Sequence, residues 1–168
     1  MAGDNRPGGE EMMNCKLASV AILVEDMERS KIFYRDIMGM EIEMDFGLNV
    51  GFKGGLSIWQ RQHAHQNIFG RSAAPAVTND NIEIYYESAD IQSSWASAQK
   101  EGVSLVHGLR EQPWRQLVFR CSDPDGFIIE VGETIPDLVK RLAGEGLSPQ
   151  EIVSQTMMPL EIVRAILA

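Results

Sequence analysis

Cysteine is scarce. Cys15 and Cys121 are the only two in 168 residues, far apart and in no C-x-x-C pair, so a disulfide scaffold and a thiol redox motif are both excluded. Cys121, in an apolar stretch, reads as a buried free thiol on a strand. Long apolar runs are missing as well: nothing approaches the roughly 18 residues that a membrane-spanning helix needs. The first residues, MAGDNRPGGEEMM, lack the apolar stretch of a secretory signal, so the expected location is cytoplasmic. Positive charge is in deficit, with 15 Lys and Arg against 24 Asp and Glu, a net charge of −9. That excess repels phosphate backbones and anionic membranes, so neither nucleic acid nor membrane is an expected partner. What remains is ordinary for a folded domain, 44% hydrophobic and 23% charged residues, which excludes collagen-like or extensively disordered chains.

The order of segments is more telling. Residues 1–15 are polar, Gly-rich and Pro-containing and read as a flexible tail. Val20, Ile22 and Val24 alternate with Ser19, Ala21 and Leu23, the period of a strand. Asp26 then opens a helix whose apolar stripe is Met27, Ile32, Phe33, Ile37 and Met38, ended by Gly39. Three strands follow at about 40–45, 48–53 and 55–60, punctuated by glycines. Residues 61–80 show no clean period and read as a linker or lid. The pattern then restarts. A strand around Ile82, Ile84 and Tyr86 leads to a helix opened by Asp90. Strands at about 103–107, 116–121 and 127–132 come next, with Asp123-Pro124-Asp125-Gly126 as the last turn. Val24-Glu25-Asp26-Met27 and Ser88-Ala89-Asp90-Ile91 thus occupy equivalent places 64 residues apart. Two β-α-β-β-β modules, 16–60 and 81–133, are therefore expected to pair around one cavity.

The segments VEDMERSKIFYRDIMGMEI, DFGLNVGFKGGLSIW, REQPWRQLVFR and DPDGFIIEVGE resemble the vicinal oxygen chelate superfamily. It includes glyoxalase I, extradiol dioxygenases and bleomycin resistance proteins, and residues 16–133 are covered. The resemblance implies an α+β fold, two paired βαβββ modules forming a half-open cupped sheet, and a homodimer. It is also similar to glyoxalase-like proteins of unassigned substrate that read PWGQR-V-R and DPDGH. Here Arg115 stands for the glycine, Leu117 for the arginine and Phe127 for the histidine.

The resemblance further implies metal ligands at four places, which fall on Ser19, on Trp59 (or Ser57 two residues away), on Glu83 and on Glu130. A serine hydroxyl and an indole are poor ligands for Zn, Ni, Mn or Fe. The two glutamates have the opposite strand phase to Ile84 and Ile129, and this face is the expected cavity wall. Close together, two carboxylates need a divalent metal, a pairing Arg (Arg115 or Arg120) or a shared proton, which would make Glu130 a catalytic acid or base. A solvated rim position is the alternative. His63 and His65 could chelate but read as solvated on a polar loop, and His107 as structural. Trp59, Tyr85 and Trp114 are candidate walls of an apolar substrate pocket, with Phe46 and Asn49 at its border. As ordinary core or interface aromatics they would have no such role.

After residue 133 the period becomes helical. In 134–168, Ser148-Pro149-Gln150-Glu151 and Pro159 both start helices. GLSPQEIVSQTMMPLEIVRAIL resembles a helix-turn-helix, yet its second helix carries only Glu161 and Arg164, too little positive charge for DNA. A packing appendage is expected. The first functional expectation is a metal-assisted lyase or isomerase, or an oxygenase relative, acting on a small oxygen-bearing substrate, with Glu83 and Glu130 as metal ligands. The second is a non-catalytic, sequestering small-molecule binder. A third is a regulatory protein whose tail binds a partner.

Overall fold

The computed structural model describes residues 17–74, 79 and 81–168. In it each half of the repeat makes its own four-stranded mixed sheet. The first comprises β1 (Val20–Val24), β2 (Ile42–Asp45), β3 (Asn49–Phe52) and β4 (Leu56–Gln60), in the order β1-β4-β3-β2. The second comprises β5 (Glu83–Ser88), β6 (Ser104–Glu111), β7 (Leu117–Ser122) and β8 (Ile128–Glu133), in the order β5-β8-β7-β6. The first and last strands of each module pair in parallel, with a crossover helix and the two other strands between them in the chain, and the other pairs are antiparallel. The fold is therefore α+β, with open sheets.

The crossover helices begin alike because the sequence repeats its cap. Asp26 accepts from the N–H groups of Glu28 and Arg29 at the start of α1 (Met27–Lys31), and Asp90 accepts from Ser93 at the start of α3 (Ile91–Lys100). Past Lys31 the first helix widens into a π-helical turn, Ile32–Ile37. This changes the expected stripe. Each π turn holds more residues than an α turn, so Ile32 rotates out and is half exposed, while Tyr34 is fully buried. Tyr34 packs on Phe52 and donates from its hydroxyl to Asp123 at 2.7 Å. The neighbouring Asp125 accepts from the Glu25 N–H at 2.9 Å and the Ser30 hydroxyl at 3.2 Å. The Asp-Pro-Asp-Gly turn of module two thus fastens module one. One buried core, including Ile22, Val24, Val50, Ile58, Phe119 and Ile129, runs through both.

Two expected boundaries move. Residues 61–69, read as linker or lid, form α2 (Arg61–Phe69). That helix buries only Ala64, so it has no apolar stripe for a periodicity argument to detect. β6 continues to Glu111 instead of ending at His107. The expected tail with Cys15, and residues 75–78 and 80 of the expected linker, lie outside the described residues.

α4 (Ile135–Gly144), α5 (Pro149–Thr156) and α6 (Leu160–Leu167) form the C-terminal appendage. They close around a second core of Leu138, Val139, Leu142, Ile152 and Val163. Ser148 and Glu151 make a reciprocal capping box at the start of α5, and Met157 ends that helix in the left-handed region. Among the described residues no helix is long and apolar enough to cross a membrane.

Candidate functional site

On β5 and β8 most residues facing the helices are apolar, with Ser88 pairing to Ser94 of α3 at the end of β5. Ile84, Ile129 and Val131 join the core, and Phe119 of β7 packs on Trp95 of α3. Strand alternation puts Glu83, Tyr85, Glu130 and Arg120 on the other, open face. The register sets a row across four strands: Tyr85 beside Glu130, Glu130 beside Arg120, and Arg120 beside His107. Glu83 and Glu130 are indeed brought together, and what lies between them is the Arg120 guanidinium. Its Nε donates to Glu83 at 2.7 Å and its Nη2 to Glu130. Nη1 is 3.1 Å from His107 Nε2. The Glu130 side chain is only 7% exposed and that of Arg120 18%, so water screens this pair little. Of the three arrangements open at the sequence level, pairing with an arginine is the one present, and the arginine is Arg120. Arg115 lies elsewhere, against Glu111 and Glu145.

A second network adjoins the first. The Trp114 indole N–H donates to Gln116 Oε1 at 3.0 Å, and Gln116 Nε2 donates to the Tyr85 hydroxyl at 2.8 Å and to the Glu133 carbonyl at 2.8 Å. The Tyr85 hydroxyl donates to Glu87 at 3.2 Å. Burial, with Glu87 beside it, raises the Tyr85 pKa, so it stays a neutral phenol. Tyr85 remains 45% exposed, which leaves ring surface for a ligand. Gln116 was missed in the sequence. Its cue was the glutamine shared by this chain and the PWGQR pattern.

In the first sheet, Asn49 pairs with Trp59 across β3 and β4, and Leu23 pairs with Trp59 across β1 and β4. The Trp59 indole N–H donates to His63 Nδ1 at 2.9 Å. His63 and His65 sit on α2 and not in a loop. Ser57, buried on the same face as Trp59, and Ser19, exposed just before β1, offer hydroxyls only. Phe46, at the tip of the β2–β3 hairpin, is 70% exposed. The candidate residues therefore group by sheet: Asn49 and Trp59 on one, Glu83, Tyr85, Trp114 and Glu130 on or beside the other.

A cleft of about 410 Å³ lies on the helix-facing side of the second sheet, lined by Ser94, Ser97, Tyr86, Phe119, Cys121 and Val131 among others. None of the expected site residues lines it. Burial pushes the Cys121 thiol up to about 11, the mark of an inert structural cysteine.

Divalent metals are common in the superfamily that the sequence resembles. The residues present do not fit one. Two of the four ligand positions carry serine or tryptophan, and the two carboxylates at the others are engaged by a guanidinium. Among the described residues, no three His, Cys, Asp or Glu side chains converge as an ion would require.

The profile of the glyoxalase-like domain family matches residues 17–136. Among solved structures, a protein of unknown function from Agrobacterium tumefaciens is 36% identical, with a TM-score of 0.69 over 74% of this chain and 98% of that one. A glyoxalase/bleomycin resistance protein/dioxygenase from Nocardioides is 15% identical, with a TM-score of 0.60 over 73% and 85% of the two chains. A lactoylglutathione lyase from Agrobacterium tumefaciens is 22% identical, with a TM-score of 0.54 over 76% and 96%. These last two likenesses show a shared fold. No curated protein is significantly similar in sequence. The appendage from residue 137 onward lies beyond the family match.

Proposed function

The chain belongs to the glyoxalase-like family, and from that premise we propose that it binds a small molecule on its open sheet faces without a divalent metal. Arg120, set between Glu83 and Glu130, is the observation that carries this reading. A metal-assisted lyase or isomerase needs those carboxylates free to ligate. A carboxylate oxygen that already accepts from a guanidinium is also not free to take a proton from a substrate. The binding reading asks for less: aromatic surface for the ligand body and a few fixed polar groups for its orientation. Tyr85, Trp59 and Trp114 supply the first; Arg120, Gln116 and Asn49 supply the second. Members of the superfamily typically bind small molecules and often form dimers, and a homodimer is part of this proposal.

Thermal-shift screening against small aromatic and oxygen-bearing compounds, with a chelator present throughout, tests the reading. A ligand at about 100 times its Kd stabilises the folded state by about 2.7 kcal/mol, enough to move the melting temperature by a few degrees. Hits should appear in chelator and weaken in Tyr85→Ala or Trp59→Ala. Hits that require added Zn²⁺, Ni²⁺ or Mn²⁺ would overturn the proposal.

A further inference from the structure

We propose that Arg120 is a resident cation, filling the place at which Glu83, Glu130 and His107 would together hold a divalent metal ion. Three side chains from three strands direct acceptor atoms at this one guanidinium. Glu83 Oε2 faces its Nε at 2.7 Å, Glu130 Oε2 its Nη2, and His107 Nε2 its Nη1 at 3.1 Å. The tautomer of His107 follows from its other nitrogen. Nδ1 lies 2.9 Å from the Gly108 carbonyl oxygen, which only accepts, so Nδ1 carries the proton and Nε2 presents its lone pair to Arg120. A backbone carbonyl fixing the far nitrogen is also how a metal-ligating histidine is commonly oriented.

Two carboxylates and one neutral imidazole are a donor set that Zn²⁺, Mn²⁺ and Fe²⁺ accept. With Arg120 between them, the three do not form a group able to hold an ion among the described residues. They flank it along the sheet: Glu130 is its cross-strand neighbour on one side and His107 on the other. At about 4.8 Å between strands, that leaves about 10 Å between the backbones of His107 and Glu130, centred on Arg120. The charges agree. Two carboxylates share one guanidinium, so removing it leaves both facing an imidazole lone pair with no cation between them, the setting in which a divalent ion competes with a shared proton. His107 was the member that sequence position alone did not reveal, because only the β6–β7 register brings it to Arg120.

Arg120→Ala and the longer, uncharged Arg120→Gln test this directly. Chelator-stripped protein is titrated with Zn²⁺ and with Mn²⁺ by calorimetry, and melting temperature is followed with and without the ion. Wild type should show no saturable uptake. The Arg120 variants should take up one equivalent and melt higher when loaded. Adding His107→Ala to Arg120→Ala removes one of the three ligands and should weaken that uptake by more than about 10-fold, the smallest loss typical when even a supporting residue of a metal site is removed. Stoichiometric uptake by wild type would overturn the proposal, as would folded Arg120 variants that take up none, or uptake indifferent to His107. If neither variant folds without an ion, rescue of folding by Zn²⁺ or Mn²⁺ supports it and failure of rescue overturns it. The inference rests on the small-molecule reading only for the importance of this face. Ligand binding in chelator with no metal gain in the Arg120 variants would defeat the inference and leave that reading intact.

Discussion

Nη2 of Arg115 lies 2.9 Å from the Glu145 carboxylate, and Arg115 reaches it from a left-handed backbone at φ 73°. The PWGQR pattern that the sequence resembles implies glycine at this place, and glycine takes that conformation without penalty. An arginine there costs about 1–2 kcal/mol in backbone strain. In exchange its side chain spans from the β6–β7 turn to the appendage: Nε holds Glu111 at 2.8 Å, and Nη1 donates to Gln155 of α5. Arg141 of α4 returns the contact, donating to the Arg115 carbonyl at 2.6 Å and to the buried Glu133 carboxylate at 2.7 Å. The departure from glycine thus coincides with the helices that the family match does not cover, and those helices give it a physical reason.

Replacing Arg115 by Gly and by Ala separates the strain from the bridge. Both variants lose the side-chain contacts, and only Ala keeps the left-handed strain. Arg115→Gly should therefore be more stable than Arg115→Ala by about 1 kcal/mol in urea unfolding. Both should show faster amide exchange in α5 than wild type while β8 is unchanged. Equal stability of the two variants would mean that the turn relaxes when the bridge is gone.

Asp123 gives a pH dependence with a definite sign. Burial raises its pKa above the ordinary 3.8, opposed by the Tyr34 hydroxyl and the N–H groups of Phe127 and Asp125. A carboxyl whose folded pKa exceeds its unfolded one binds its proton more tightly when folded. Its contribution is therefore most favourable below the unfolded pKa and is lost as pH rises through the folded pKa. Asp123→Asn should flatten this fall in stability on the alkaline side of 3.8, measured as the urea midpoint across pH. Tyr34→Phe removes a donor to the ionised form and should steepen it, with an overall loss of about 1–3 kcal/mol. A Tyr34→Phe profile parallel to wild type would show that the hydroxyl does not bear on the Asp123 ionisation.

Much of this was legible in the sequence, and the exceptions share a cause. The module repeat, the Asp26 and Asp90 caps, the face shared by Glu83 and Glu130 and the three C-terminal helices all rest on local periodicity or cap chemistry. Ile32 was misplaced in the buried stripe, and Tyr34 left out of it, because a π turn breaks the 3.6-residue period from within. Helix α2 went unseen because a helix burying a single alanine leaves no apolar stripe. At the candidate site, the two carboxylates could be named from strand phase. Which cation answers them could not, since Arg120 and His107 reach them through antiparallel register, a long-range property fixed only by folding. The β6–β7 register shifts on both sides of His107, so even counting back from the turn would have misplaced it.

Gly132 supplies a test of how tightly the Tyr85 side of the site is built. A Cβ on Gly132 would lie 2.7 Å from Gln116 Nε2, closer than such atoms approach, and 3.2 Å from the Tyr85 ring, a tight contact. The Gln116 amide nitrogen occupies that space in order to donate both to the Tyr85 hydroxyl and to the Glu133 carbonyl. Gly132→Ala should therefore cost about 1–3 kcal/mol, the range for overpacking a filled site, and should displace Tyr85. Gln116→Ala alone should also destabilise, by leaving the buried Glu133 carbonyl without this donor. Together the two should cost less than their sum, because removing the Gln116 amide clears the space the new methyl needs. A urea double-mutant cycle reads this as a coupling of about 0.5–3 kcal/mol. Strict additivity would mean that Gly132→Ala acts through strand backbone and not through Gln116. A double variant that recovers stability but still loses the ligand bound by wild type would assign Gln116 to positioning Tyr85, and not to holding the sheet together.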